Sequence, residues 1–278
     1  MRKCRWLVLL SCFLFSGCGT KFAYNNISWF VVSYIEDFVT LSNSQESELE
    51  ERLDLLQQWH KETQLPLYVS QLEVIQNTDR SDMSSAFITE QSDQIKDHIR
   101  SIANKFSPDI YALSMQLTPE QDKEFLKNFR EKQHEYYEER LSLNDEDSRE
   151  RYRSRIEDRL ERWLGTVSKE QKKIILAWSQ KWVNTNDNWR QYQNNTYQDL
   201  STLIEKKSDL DIAQPIIMNL LLNNEAYYPE GLEPELNKNM QTSANFLVDI
   251  VESSTNKQWA YFMSELASLK GTFESLQE

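Results

Sequence analysis

Four times in this chain a serine or threonine is followed three residues later by glutamine: Ser42 to Gln45, Thr118 to Gln121, Ser168 to Gln171 and Thr255 to Gln258. At a helix start the hydroxyl accepts from the amide three residues on, while the glutamine side chain reaches back to the N–H of the cap residue. Leu41, Leu117 and Val167 precede the first three boxes. The intervals between boxes are unequal, so they punctuate helices and do not mark the units of a solenoid. Only five glycines and six prolines among 278 residues can interrupt the helices that these starts open. With Glu, Gln, Lys, Leu and Arg abundant, the chain is expected to be all-α, an irregular helical bundle.

The chain before the first box has a different grammar. Arg2, Lys3 and Arg5 precede an apolar run from Trp6 to Phe15, which ends in Phe15-Ser16-Gly17-Cys18. The run is too short to span a bilayer. Basic residues, an apolar stretch and small residues before a cysteine make a signal peptide over residues 1–17, with Cys18 as the lipidated first residue of the mature chain. Leu9-Leu10-Ser11-Cys12 is a competing box, but it leaves too few apolar residues before the cut. The other readings are an ordinary cleaved signal peptide or an uncleaved anchor. Residues 18–25 then form a short tether, and 26–278 the helical domain. Gly19 follows the cysteine where Asp would signal retention in the inner membrane. By resemblance to lipoproteins of diderm bacteria, this implies an outer-membrane anchor facing the periplasm.

Removing Arg2, Lys3 and Arg5 leaves 28 basic against 44 acidic residues, formally −16. Such a balance disfavours nucleic acid and anionic headgroups as partners. All three cysteines, Cys4, Cys12 and Cys18, lie in the signal and anchor. The body therefore has no disulfide, no catalytic thiol and no cysteine metal site. Gly19, Gly165, Gly231 and Gly271 are too scattered for a phosphate-binding loop. Glu131 and His134 make half of a di-iron bundle motif, but Gln57 and Ile95 stand where partner motifs ending at His60 and His98 need glutamate. No HExxH and no Gly-x-Ser-x-Gly elbow occurs. We expect no metal, no cofactor and no enzymatic activity.

Taken in order, Asn26 to Leu41 places Ile27, Phe30, Val31, Tyr34, Ile35 and Phe38 at helical spacing, with Trp29 and Val32 widening the stripe. We expect it to pack centrally in the bundle, because Glu36 and Asp37 do not suit an anionic membrane surface. The alternative is a helix resting in the bilayer interface. The second helix runs to about Thr63, where Pro66 breaks or kinks it. Ser107-Pro108 is expected to start a short helix of its own. Two narrow stripes, Phe125, Phe129, Tyr136, Leu143 and Tyr152, Ile156, Leu160, Trp163, carry charged flanks. They predict a protruding antiparallel two-helix hairpin at about 118–164 that turns near Asn144 to Asp147. A long helix from Ser168 to about Lys206 carries Trp178, Trp182 and Trp189 on one face, usually a core signature. A sharper reading makes these an aromatic groove. Tyr137, Trp182, Trp189, Tyr227 and Tyr228 are the candidate protein-binding residues, the last two in the loop Asn223 to Glu233.

The chain carries two resemblances to known families. The lipobox, Tyr24-Asn25, Trp59-His60 followed by Leu65-Pro66-x-Tyr68, and the repeated Ser/Thr-x-x-Gln starts resemble an uncharacterised family of predicted proteobacterial lipoproteins, helical and without an established activity. Leu117-Thr118-Pro119-Glu120-Gln121 resembles the LTxxQ motif of small periplasmic stress chaperones, a motif that occurs twice in much shorter, unlipidated proteins. The expected function is a non-enzymatic adaptor or assembly factor that binds protein partners in the cell envelope. A chaperone-like holdase is the alternative, and an enzyme acting on envelope glycan or lipid through unmarked carboxylates the third class.

Overall fold

The computed structural model describes residues 17–278, with side chains from residue 19. The expected signal peptide up to residue 16 and the side chain of Cys18 lie outside the described residues. Among the described residues there are eleven α-helices and no strand, so the fold is all-α. The helices are α1 (Gly17–Asn25), α2 (Ile27–Ile35), α3 (Asn43–Asn77), α4 (Ser85–Ser114), α5 (Pro119–Tyr136), α6 (Asp145–Leu164), α7 (Lys169–Lys181), α8 (Asn186–Glu205), α9 (Leu210–Leu222), α10 (Leu232–Ser253) and α11 (Asn256–Gln277). A π-turn over Tyr137–Leu141 follows α5, and short 3-10 turns cover Arg80–Asp82 and Asn224–Tyr227. The chain forms two compact units, one of residues up to Asn77 together with Met263–Glu278, the other of Thr78–Phe262.

In the first unit α1 and α2 run antiparallel to α3. Tyr24 Oη lies 2.8 Å from His60 Nδ1, and Ser28 donates to Asp54 at 2.7 Å. On its far side His60 Nε2 lies 3.2 Å from Tyr68 Oη. A neutral imidazole has one N–H and one bare nitrogen, so one tyrosine donates to the ring and the other accepts from it. Burial lowers the His60 pKa and pushes Tyr24 up to about 12; Tyr68 rises for the same reason. The residues that carry the family resemblance, Tyr24, His60 and Tyr68, are thus one hydrogen-bonded chain. Helix α3 passes uninterrupted through Pro66. Leu65 and Leu72 are buried on either side, and that packing outweighs one lost backbone hydrogen bond. Helix α2 corrects the expectation of a central helix. It buries Val32 but leaves Trp29 57 % and Tyr34 48 % exposed.

The second unit is built around Leu160 and Leu164 of α6, Ile175 and Trp178 of α7, Trp182 just after its end, and Phe246 and Ile250 of α10. A smaller cluster joins Leu203 of α8 to Ala213 and Ile217 of α9, with Tyr111 of α4 against it. All four glutamine boxes are realised as helix starts. Two of them meet. Gln171 Oε1 accepts from Ser168 N–H and also from Gln258 Nε2, whose own Oε1 caps Thr255. Helix α4 continues through Pro108, so no separate helix starts there. Pro108 cannot donate to the carbonyl of Asn104, and the Ser107 hydroxyl donates to it instead at 3.2 Å.

Two further expectations are corrected in this unit. The segment 118–164 does turn just before Asp145, but its helices do not form a protruding hairpin. Helix α5 packs on α8, where Phe129 stacks against Tyr197, and α6 packs on α7, where Tyr152 meets Trp182 at 4.2 Å between ring centres. Each narrow stripe finds its apolar partners on a different helix, so both are covered without pairing with each other. The long helix from Ser168 also ends early, at Lys181. Trp182 turns extended, and the Asn239 side chain from α10 takes both the N–H and the C=O of Val183 at 2.8 Å each.

Candidate functional site

Helix α8 carries the most distinctive surface of the second unit. On one side it faces α5 and the π-turn across an open cleft of about 630 Å³. Lys127, Arg130 and His134 line it from α5, Tyr137 from the π-turn, and Arg190 and Tyr197 from α8. Arg130 lies over the Tyr197 ring, 4.8 Å from its centre, and donates to Gln133 and Asn194 at 3.1 Å each. Gln133 donates in turn to the backbone carbonyl of Gln193 at 2.8 Å. Those contacts fix the guanidinium, since a planar fork held over a ring and by two amides keeps little freedom. The Arg190 guanidinium lies 6.0 Å from the centre of Tyr137. Glu131 is the one acidic residue of the lining, so the cleft is a cationic and aromatic surface on an acidic chain.

The other side of α8 holds the loop before α10. Trp189, Tyr192 and Tyr228 meet edge to face, with ring centres 5.1 to 6.1 Å apart. Tyr227 lies under them. Its hydroxyl donates to Asp199 at 3.0 Å, and Asn195 donates to its carbonyl. Burial, then the Asp199 carboxylate, raises the Tyr227 pKa far above the ordinary phenol value. Burial also raises Tyr192 and Tyr228. These phenols remain neutral donors at any physiological pH.

The structure therefore divides the five aromatic candidates. Tyr137 lines the cleft, and Trp189 and Tyr228 are half-buried partners on the opposite face of α8. Trp182 and Tyr227 do not belong to a binding surface. Trp182 is 9 % exposed in the core with Arg149 donating to its carbonyl, and Tyr227 is 6 % exposed beneath the loop it anchors. Sequence reasoning missed Arg130, Arg190 and Tyr197. Arg130 follows Phe129 within a charge-rich stretch, and its spacing from α8 is set only by tertiary packing. Tyr197, one turn after Gln193 and two after Arg190, was open to a periodicity argument along α8.

Catalytic groupings are a separate matter. His60 is enclosed by two tyrosines, His98 is on α4, and His134 is exposed at the cleft. Among the described residues no group of three His, Cys, Asp or Glu side chains could hold a metal ion. Among them no helix is long and apolar enough to cross a membrane. No curated protein and no solved structure matches the chain. Residues 37–232 match the family of unknown function DUF6279, a span that runs from the end of α2 to the start of α10, and the chain belongs to that family.

Proposed function

We propose that this is an outer-membrane lipoprotein of the proteobacterial kind, anchored through acylated Cys18, whose helical body faces the periplasm and binds protein partners without chemistry of its own. It serves as an adaptor or assembly factor in the envelope. One observation carries the binding half of this reading: the cleft between α5 and α8, where Arg130 is pre-positioned over Tyr197 and Arg190 stands beside Tyr137. The fixed Arg130 fork with its aromatic face suits a carboxylate-bearing peptide segment, and Arg190, which lies 3.5 Å from Asp187, adds a second cation beside it. The anchoring half rests on the grammar of residues 1–18.

The holdase alternative leans on Leu117 to Gln121. Both groups that distinguish that motif, the Thr118 hydroxyl and the Gln121 amide, are engaged in capping α5. A photo-crosslinking residue at Tyr137, used in the native envelope and read by mass spectrometry, tests the proposal. One or two dominant protein adducts, abolished by Arg130→Glu or Arg190→Glu, are expected. A broad smear of unfolded outer-membrane proteins would make the protein a holdase, and no adduct at all would refute the adaptor.

A further inference from the structure

The first two helices leave apolar surface outside in a pattern that their packing does not require. Thr20 and Ala23 of α1 and Val32 of α2 are buried. Phe22 is 65 % exposed and Trp29 57 % exposed. The backbone bonds from Asn26 to Phe22 and from Phe30 to Asn26 carry helical hydrogen bonding through the turn that joins α1 to α2. Phe22 and Trp29, seven residues apart, therefore lie about two turns and about 10 Å from each other along one side. Cys18 sits one turn before Phe22 in the same helix.

We infer that this side of α1 and α2 lies in the interfacial layer of the bilayer to which the chain is tethered, with Phe22 and Trp29 inserted at headgroup depth. The inference rests on the proposed lipid anchor. Three features name the bilayer as the occupant. An acyl chain on Cys18 enters the membrane one turn from Phe22, and an uncleaved apolar segment would lead into α1 at the same place. Gly17–Ile35 carries Lys21 as its one charged side chain and no acid, in a chain of formal charge −13. Glu36 and Asp37, the acidic residues that disfavour a membrane surface, fall after the end of α2. Trp29, with an apolar ring and a polar N–H, suits the water boundary, and Phe22 suits the apolar face that interfacial helices bury beneath it.

The test uses the full chain, purified from membranes in detergent and reconstituted into phosphatidylethanolamine and phosphatidylglycerol vesicles with brominated acyl chains. Tryptophan quenching is compared between wild type and Trp29→Phe, a change mild enough to preserve the fold. In parallel, mass spectrometry of the N-terminal peptide reads acylation of Cys18. We expect acylated Cys18 and a quenched fraction that disappears in Trp29→Phe. Acylation with equal quenching of the two proteins would overturn this inference and leave the anchor standing. Unequal quenching on an unacylated chain would uphold it and overturn the lipid anchor. Neither signal would overturn both.

Discussion

Gln171 shows how a residue type that reads as surface punctuation becomes structural. It is fully buried, and its Oε1 accepts two hydrogen bonds, one closing its own capping box and one from Gln258. Gln171→Leu keeps the volume and removes the acceptor; exposed Ser168 can turn its N–H to water, whereas buried Gln258 Nε2 keeps only the Thr166 carbonyl, at about 1–3 kcal/mol for the N–H left buried and unpaired. The exposed box at Ser42 provides the contrast. Water replaces its lost bonds, so Gln45→Leu is expected to cost only about 0.5–1 kcal/mol. Urea unfolding of the two variants checks this, and equal losses would show that the buried pair adds nothing. The boxes themselves were legible, because four residues suffice to write one. Their meeting was not, since it joins side chains far apart in the chain and only packing decides which two helix starts come together.

At the scale of elements, helix ends were legible where local chemistry writes them and illegible where a distant side chain does. Pro66 and Pro108 look like breaks and are not, because buried neighbours and the Ser107 hydroxyl compensate. The real break after Lys181 has only the weak helix formers Val183-Asn184-Thr185 to announce it. Asn239 supplies the missing signal, replacing a backbone partner for Val183 from 56 residues away. Asn239→Leu should therefore cost about 1–3 kcal/mol for each stranded backbone group. It should also speed hydrogen exchange at the Val183 amide; unchanged exchange there would mean that the extended turn holds itself. Arg80 does similar work at the end of α10, donating to the carbonyls of Val251, Glu252 and Ser254. A cation there also complements the helix C-terminus. Arg80→Ala is expected to lower the thermal midpoint, and Arg80→Lys, which keeps the charge but not the fork, to restore only part of it.

Over the whole molecule, the proposed attachment and the fold of the first unit depend on the same short stretch of chain. Cys18→Ser is expected to leave the protein unprocessed or release it from membranes, and unchanged lipid labelling would refute the anchor. The chain Tyr24–His60–Tyr68 then decides how firmly α1, the helix that contains Cys18, is held to α3. Burial holds His60 neutral, so its folded pKa lies below the ordinary value of 6.5. As pH falls the unfolded chain takes up that proton first. The contribution of neutral His60 is therefore complete above about pH 6.5 and is lost as pH falls through the folded value. The tyrosines act in the opposite sense. With Tyr24 pushed up to about 12, and Tyr68 raised too, their contribution is complete below about pH 10 and is lost as pH rises through the folded values. His98 on α4 is also lowered, mainly by burial, and adds its own acid sensitivity. His60→Gln separates the two, since an amide can donate and accept without titrating in this range. Thermal midpoints followed from about pH 7.5 to about pH 5.5 should fall more steeply for the wild type than for His60→Gln, through the window set by the histidine values. Parallel slopes would assign the acid sensitivity to His98 and reduce the three-residue chain to packing alone.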